Sequence, residues 1–400
     1  MNNKSICFVF NSFSPTGLDY YERFYASYFS NFIALVWKFP HSKGRHFSRL
    51  SVYIDGKKKD ERYLSSLKVF SGAVYFLTLP FNYLVYLYQA LTKLPRRDPG
   101  VVRIYMGINY FCALCGIVLK KLGKVDHVIY RVMDFFPTPN RGVYRYIMWI
   151  FYYIDKFCLE RADEIWFTTE GHIIGREKYG YYDRNKAFYR MIPLGIDTSR
   201  YVCMPLNERR KNSLVYVGVV SRYHLIDMLF DVVARLVHEF PDITLDLVGS
   251  GPDLDFFRED AERRGLEGRI VFHGFMEEGS AFTSIVAGSF LGIAFYRDEE
   301  GFMKYTEPAK VKYYLNYGVP AIVSRVPRIA TELEAEGVAF ACENNVEVIC
   351  SIIRRFFSDP ILARNTLEAI KRYIHKVDIN IMLTETTEAM LRRINLKNSK

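Results

Sequence analysis

Short apolar runs bounded by turn residues alternate along this chain with longer stretches whose apolar positions recur every three or four residues. The first run, SICFVFNSF, ends in Ser14-Pro15-Thr16-Gly17, and aromatic residues then fall at Tyr21, Phe24, Tyr25, Tyr28, Phe29 and Phe32. The run predicts a strand, the turn residues a loop, and the aromatic spacing a helix over 18–32. VVRIYMG and HVIYRVM read as further strands, residues 143–161 as a long helix, and 164–168 as the strand after it. Strands alternating with helices predict a parallel sheet covered on both faces.

A second series begins after Ile192-Pro193-Leu194-Gly195-Ile196-Asp197 and the polar stretch 207–212, which read together as a linker. LVYVG, ITLDLVG, RIVFHG, SFLGIAFY and PAIVS are expected strands, with helices over 227–239, 253–264 and 308–317. A chain of 400 residues holds two domains at about 150–200 residues each. The expected boundaries are 1–196 and 197–378, with a last helix in 379–400 that packs back on the first domain. In doubly wound sheets ligands sit at the carboxyl ends of strands, where loops meet helix N-termini.

Charge divides the chain further. The first 200 residues hold 29 Lys and Arg against 16 Asp and Glu, the last 200 hold 25 against 28, and 42 of the 64 Phe, Trp and Tyr lie in the first half. A basic, aromatic half suits an anionic membrane surface or an anionic acceptor, because Lys and Arg are drawn to headgroups while Tyr and Trp rings sit well at the interface. No basic recognition helix or aromatic RNA-binding signature appears, so nucleic acid is not an expected partner. Seven scattered cysteines make no disulfide framework and no signal-peptide pattern opens the sequence, so the expected location is cytoplasmic, peripheral to the inner membrane face. Cys112 and Cys115 are expected on a buried helix face rather than at a metal. Residues 69–91 are long enough to span a bilayer, but Pro80, Asn82 and Gln89 favour one or two amphipathic or buried helices.

A diphosphate needs amides at helix starts and a cation to balance the leaving charge. Gly218 closes one expected strand, with Ser221 and Arg222 in the loop after it, and Gly249-Ser250-Gly251-Pro252 closes another. The segment Tyr305-Thr306-Glu307-Pro308-Ala309-Lys310 opens a helix that ends at Tyr317-Gly318-Val319-Pro320. With Thr306 as N-cap and Pro308 at the first position, Lys310 falls in the first turn, where the helix dipole disfavours a cation. Either an anion binds there or the lysine is solvated. Asp253-Leu254-Asp255 has metal-ligand spacing but falls at a helix start, so capping is expected, with no metal and no cofactor.

Strand-Val-Gly, strand-Val-Gly-Ser-Gly-Pro, strand-His-Gly, and Pro-x-Lys followed by Tyr-Gly-Val-Pro together resemble the GT-B glycosyltransferases over most of residues 192–324. VIYRVMD, LGIAFYRDEE and EPAKVKYYLNYGVPAIVS are most similar to the membrane-associated β-glucuronosyltransferase family of xanthan assembly. The resemblance implies an α/β fold of two Rossmann-like domains separated by a cleft. It also implies inverting transfer from a UDP-sugar, possibly glucuronate as the sugar, to a polyprenyl-diphosphate-linked oligosaccharide. Asp134 is then the general base and Lys310 contacts the donor's diphosphate or carboxylate. The turn His273-Gly274-Phe275-Met276 lies against the base, and Tyr296 lines the donor site. The expected donor set is Gly218, Ser221, Arg222, Gly249, Phe275, Met276, Tyr296, Glu307, Lys310 and Tyr313, the last standing where many GT-B enzymes place a ribose-binding glutamate. Arg297, Lys304 and Lys312 are candidates for a donor carboxylate.

Asp134 also has a case of its own. It follows an expected strand and precedes Phe135-Phe136-Pro137, apolar neighbours that raise a carboxyl pKa toward the value a base needs. The alternatives are an N-cap or a salt bridge to Arg131 or Arg141. His41, His46, His127 and His172 are spare candidates, and Ser14, Thr16, Gly17 and Arg23 are expected at the diphosphate of a lipid-linked acceptor. Three other readings stay open: a retaining GT-B enzyme with another donor, a UDP-sugar 2-epimerase, and a non-catalytic sugar-nucleotide-binding protein.

Overall fold

The computed structural model describes residues 5–13, 19–37, 48–65, 73–96, 98–137, 144–186, 188–297 and 301–398. Two compact units emerge, one of residues up to Ile192 together with those from Leu383 onward, the other of Pro193–Met382.

The first unit is built on strands β1 (Ile6–Ser12), β2 (Asn31–Val36), β3 (Arg49–Ile54), β4 (Lys57–Tyr63), β5 (Val102–Ile108), β6 (His127–Val132), β7 (Glu164–Phe167) and β8 (Tyr189–Met191). Their order is β4-β3-β2-β1-β5-β6-β7-β8. Strand β1 is buried along its whole length, as a central strand covered on both faces must be. β2 pairs parallel with β1, whereas β3 and β4 add antiparallel. Asp55 and Gly56, both with positive φ (49° and 76°), make the tight turn between β3 and β4. β4, KKKDERY, carries charge along an outer strand, which discourages edge-to-edge association.

Phe32 departs from expectation. The helix Asp19–Tyr28 ends before it, and Phe32 belongs to β2. The aromatic spacing nonetheless reports one cluster, because Phe8 of β1 stacks on Tyr25 (4.2 Å), Phe29 (4.8 Å) and Phe32 (6.5 Å). Ala73–Lys93 is a single helix that contains Pro80. Its Asn82 and Gln89 are buried and bonded, Asn82 to the Thr78 carbonyl and Gln89 to both backbone groups of Ser65. Among the described residues no helix is long and apolar enough to cross a membrane. Cys112 and Cys115 lie buried in helix Asn109–Lys121, and all seven cysteines are free.

The second unit holds β9 (Ser213–Val217), β10 (Thr244–Val248), β11 (Ile270–Gly274), β12 (Leu291–Ala294), β13 (Ala321–Ser324) and β14 (Ala339–Cys342). The sheet is parallel throughout, in the order β11-β10-β9-β12-β13-β14, so connections diverge between β9 and β12. That is the switch point where ligands of doubly wound sheets bind. Successive residues of β9 feed opposite cores, Leu214 and Tyr216 one, Val215 the other. Segment 207–212 is not a free linker: Arg209 is buried and donates to the Met204 and Gly318 carbonyls, which ties the stretch into this unit.

Candidate functional site

Three strands of the second sheet end in or just before a glycine with positive φ: Gly218 (143°), Gly249 (145°) and Gly274 (69°). A Cβ on Gly249 would collide with the Gly218 carbonyl oxygen, and one on Gly251 with that of Val220. The glycines therefore let successive loops stack backbone on backbone. Their amides are consumed in doing so: Gly218 N–H donates to Val248 O (2.9 Å), Gly249 N–H to Gly274 O (2.7 Å) and Val220 N–H to Ser250 O (3.1 Å). The expected role of Gly218 and Gly249 as amide donors to a diphosphate is corrected accordingly.

Against this packed floor stands Lys310, in the first turn of helix Ala309–Asn316. Pro308, not Thr306, is the N-cap, because its extended backbone (ψ 114°) delays the first helical residue, and no side chain caps the amides. Lys310 Nζ donates to Tyr216 Oη (3.2 Å) and lies over the rings of Tyr216 (4.3 Å) and Tyr296 (5.0 Å). Among the described residues no carboxylate pairs with it, and burial pushes its pKa down to about 7. A Cβ on Gly218 would sit 3.5 Å from Nζ, so the glycine keeps space beside the ammonium. His224 shares the enclosure and is pushed down to about 4 by burial and then by Lys310. Its ring bonds Ser221 Oγ at 2.9 Å. Tyr296 Oη is buried with no hydrogen-bond partner among the described residues. A cation held by aromatic faces and a bare helix start, with no counter-charge among the described residues, is built to receive an anion.

Other expected donor residues fall into two groups. Arg222 lies over the Phe256 ring (3.9 Å), near Asp253 (3.7 Å), and its carbonyl accepts from Arg297 Nε (3.1 Å). Phe275 is exposed just past β11, while Met276 packs against the apolar core and His273 is held by Asp246 at 2.6 Å. Tyr313 lies one turn beyond Lys310, its pKa pushed up to about 12 by burial and then by the Glu278 carboxylate. Glu307 is different: its buried carboxylate accepts from Leu194 N–H (2.8 Å) and pairs with Lys312 (3.2 Å), which also donates to Tyr373 (3.1 Å). Glu307 and Lys312 thus brace the unit from within. Asp253 accepts from Arg222 N–H (2.9 Å) instead of capping its own helix. No group of three metal-ligating side chains occurs among the described residues. The strand pattern concealed Tyr216, His224 and Glu278, whose signal lies only in which strand and loop ends meet.

In the first unit, Asp134 sits two residues past β6. Its carboxyl stays open to solvent, yet surrounding protein raises its pKa above the ordinary aspartate value, with Arg176 opposing. Among the described residues nothing hydrogen-bonds that carboxyl. Arg131 is occupied by Tyr21 Oη (2.9 Å) and the Ile192 carbonyl (2.6 Å), so the expected alternative of a bridge from it falls away. Arg176 pairs with buried Asp155 (2.9 Å) and donates to the Asp134 carbonyl (3.2 Å), which steadies the loop. A cavity of about 70 Å³ opens there between Asp134, Tyr110, Phe136 and Asp155. A larger one, about 470 Å³, lies at the other end of the sheet by Lys156, Asp183 and Arg393, away from Asp134. His172 is buried beside Arg176 and Arg131 and held neutral by burial. His127 begins β6 and lies 4.0 Å from Asp163, at the opposite strand end from Asp134. Arg23 is exposed on its helix; Ser14, Thr16, Gly17, His41, His46 and Arg141 lie outside the described residues.

The family model "Glycosyl transferases group 1" matches residues 205–376, nearly the whole second unit. The second unit is similar to a group 1 glycosyltransferase domain. The human protein that is one subunit of phosphatidylinositol N-acetylglucosaminyltransferase is 25% identical over 167 residues, 42% of this chain. The chain spans about a third (33%) of that relative's length. HepE of Anabaena, solved with UDP and glucose, matches with TM-score 0.67 and 15% identity over 97% of this chain and 99% of its own. Sucrose-phosphate synthase from Thermosynechococcus elongatus matches with TM-score 0.68 and 14% identity over 96% and 99%. These likenesses are of fold, and the fold is GT-B. In the second unit, the caged Lys310 occupies the start of a helix at the sheet's switch point.

Proposed function

We propose that this chain is an inverting, metal-independent glycosyltransferase that moves a sugar, glucuronate by resemblance to the xanthan-type enzymes, from a UDP-sugar to a lipid-linked oligosaccharide. The observation that carries the reading is Lys310, a cation without a counter-charge among the described residues, at a bare helix start in the unit that matches the group 1 family model. UDP fits as the anion, since HepE of the same fold was solved with it. In this reading Asp134 takes the proton from an acceptor hydroxyl, the freed oxygen attacks the anomeric carbon, and the bond to the diphosphate oxygen breaks. Lys310 offsets the charge that collects on departing UDP, work a metal does elsewhere.

The polyprenyl-diphosphate acceptor and the inner membrane face belong to the same proposal. They are supported by the basic first half and by exposed Tyr146, Trp149, Ile150 and Tyr153, spaced along one face of helix Tyr144–Arg161. The test is UDP release from UDP-glucuronate in the presence of membrane lipid extract. Asp134→Asn should lower release by about 10²–10⁴-fold while UDP affinity is kept. Full activity in that variant overturns Asp134 as base. Conversion of the donor without an acceptor would favour the 2-epimerase reading, and binding without turnover a sugar-nucleotide-binding protein.

A further inference from the structure

The segment Asp134-Phe135-Phe136, just past β6, is clamped at each of its three residues. The Asp134 carbonyl accepts from Arg176 at 3.2 Å, and Asp155 balances that guanidinium at 2.9 Å. The Phe135 ring is buried, lies near-parallel to Tyr152 (6.0 Å, 13°) and has the Arg176 guanidinium 5.4 Å from its centroid. A Cβ on Gly175 would come within 2.6 Å of that ring, so helix Glu170–Lys178 presses its backbone against it. The Phe136 carbonyl accepts from Tyr152 Oη at 2.7 Å. The Phe136 ring is exposed, so this bond holds the far end of the segment by its main chain.

Two of these clamps come from one helix, Tyr144–Arg161: Tyr152 acts directly, and Asp155, three residues on, acts through Arg176. Met148, Phe151, Tyr152 and Asp155 line the cavity beside Asp134. The exposed Tyr146, Trp149, Ile150 and Tyr153 fall on the opposite side at 3.6 residues per turn. A general base works only when its carboxyl lies within hydrogen-bond reach of the proton it takes, and the main chain of a loop aims any carboxyl on it. A phenol donating to a carbonyl is directional, so it fixes the orientation of a peptide unit as well as its place. We infer that Tyr152 is a positioning residue for Asp134, holding the carbonyl two residues on so that the carboxyl stays aimed into the cavity. This assignment rests on Asp134 as the base, proposed above, and adds the group that aims it.

The test is Tyr152→Phe in the full chain, which keeps the ring on Phe135 and deletes only the hydroxyl, assayed by UDP release from UDP-glucuronate with membrane lipid extract. The kcat should fall roughly tenfold to 10²-fold, the weight of a small misplacement of a reacting group, while UDP affinity is unchanged. The acid limb of kcat/KM should move to lower pH, because a loosened loop lets water reach a carboxyl that surrounding protein now shields. Partial unfolding would instead lower the rate and leave the limb in place. Tyr53→Phe, which deletes a hydroxyl bonded to Glu22 on β3, should change neither kcat nor the limb. Amide hydrogen exchange over 134–136, a readout independent of turnover, should quicken in Tyr152→Phe and not in Tyr53→Phe. If Tyr152→Phe keeps the wild-type kcat, limb and exchange while Asp134→Asn loses release, Tyr152 serves packing and only this inference falls. If Asp134→Asn keeps full activity, or wild type releases no UDP, the reading proposed above falls first and this one with it.

Discussion

The two sheets treat the carboxyl ends of their strands in opposite ways. In the second unit β9, β10 and β11 end in or just before glycine, and the loops stack backbone on backbone around Gly218, Gly249 and Gly251. The first unit fills the same region with polar side chains bonded to one another inside the core. Tyr130 and Tyr181 donate to Asp155, which pairs with Arg176, while Tyr86 donates to Asn11, whose own side chain reaches Tyr105. Stacked backbone leaves a clear floor on which a single cation such as Lys310 stands alone. A side-chain network instead fixes one loop, that of Asp134, through a partner 42 residues away in sequence.

The strongest way to break this contrast is to damage each device in its own terms. Asp155→Ala leaves the buried Arg176 guanidinium without its counter-charge and should cost about 3–5 kcal/mol. Gly249→Ala forces a side chain into the Gly218 carbonyl at a φ that L-residues avoid, for about 3 kcal/mol. Urea unfolding checks both. The distinguishing result is rescue: Arg176→Met should recover part of the Asp155→Ala loss, because it removes the stranded charge. No side-chain truncation should recover Gly249→Ala, because the colliding group is main chain. Rescue of both, or of neither, would erase the distinction.

The same contrast decides what was legible in the sequence. Strands buried on both faces announce themselves as apolar runs, so β1, β5, β6, β7 and β9 through β13 stand out. β4 does not, because KKKDERY on an outer strand has no apolar face to display; its available signal was the Asp55-Gly56 turn. β8, of three residues, is too short to show a period. In the second unit the glycines were visible, but their amides were expected at a ligand and are spent on neighbouring loops. Lys310 was readable from its position at a helix start. Tyr216, His224 and Glu278 were not, since their approach depends on strand order and loop packing. The partners of Glu307 were not legible either, since Leu194 and Lys312 meet it only in the folded unit.

A test of intermediate size concerns the proton on Lys310. Its folded-state pKa is about 7 against an ordinary 10.5, so between these values the unfolded chain holds a proton that the free site lacks. Stability from this group therefore rises as pH increases from about 7 to 10.5, and a bound diphosphate, which favours the ammonium, reverses the loss. At pH 8 UDP binding should take up nearly one proton, read from calorimetry in two buffers of different ionisation heat. Affinity should fall as pH rises above 7. Lys310→Met should abolish the uptake and reduce turnover by about 10²-fold, in the range seen when one charge-stabilising donor is removed. Uptake that survives in Lys310→Met assigns the proton to another group and leaves the caged cation without its function.

The smallest effect concerns the surfaces. Trp149 is 70% exposed and Ile361, in the second unit, 67%. Replacing either with serine should leave folding within about 0.5 kcal/mol, since neither touches a core that would notice. Only the first should matter to a lipid surface, because Trp149 shares its helix face with Tyr146 and Tyr153 and stands near Arg145, whereas Ile361 lies in a unit without a basic excess. Arg145→Ser should weaken sedimentation with anionic vesicles by about 1 kcal/mol at low salt, an effect that fades as salt screens it. Trp149→Ser should weaken it at all salt concentrations, because its contribution is apolar. Equal effects from Trp149→Ser and Ile361→Ser would mean that the aromatic excess of the first unit serves packing alone, and that the basic half acts on vesicles without a defined face.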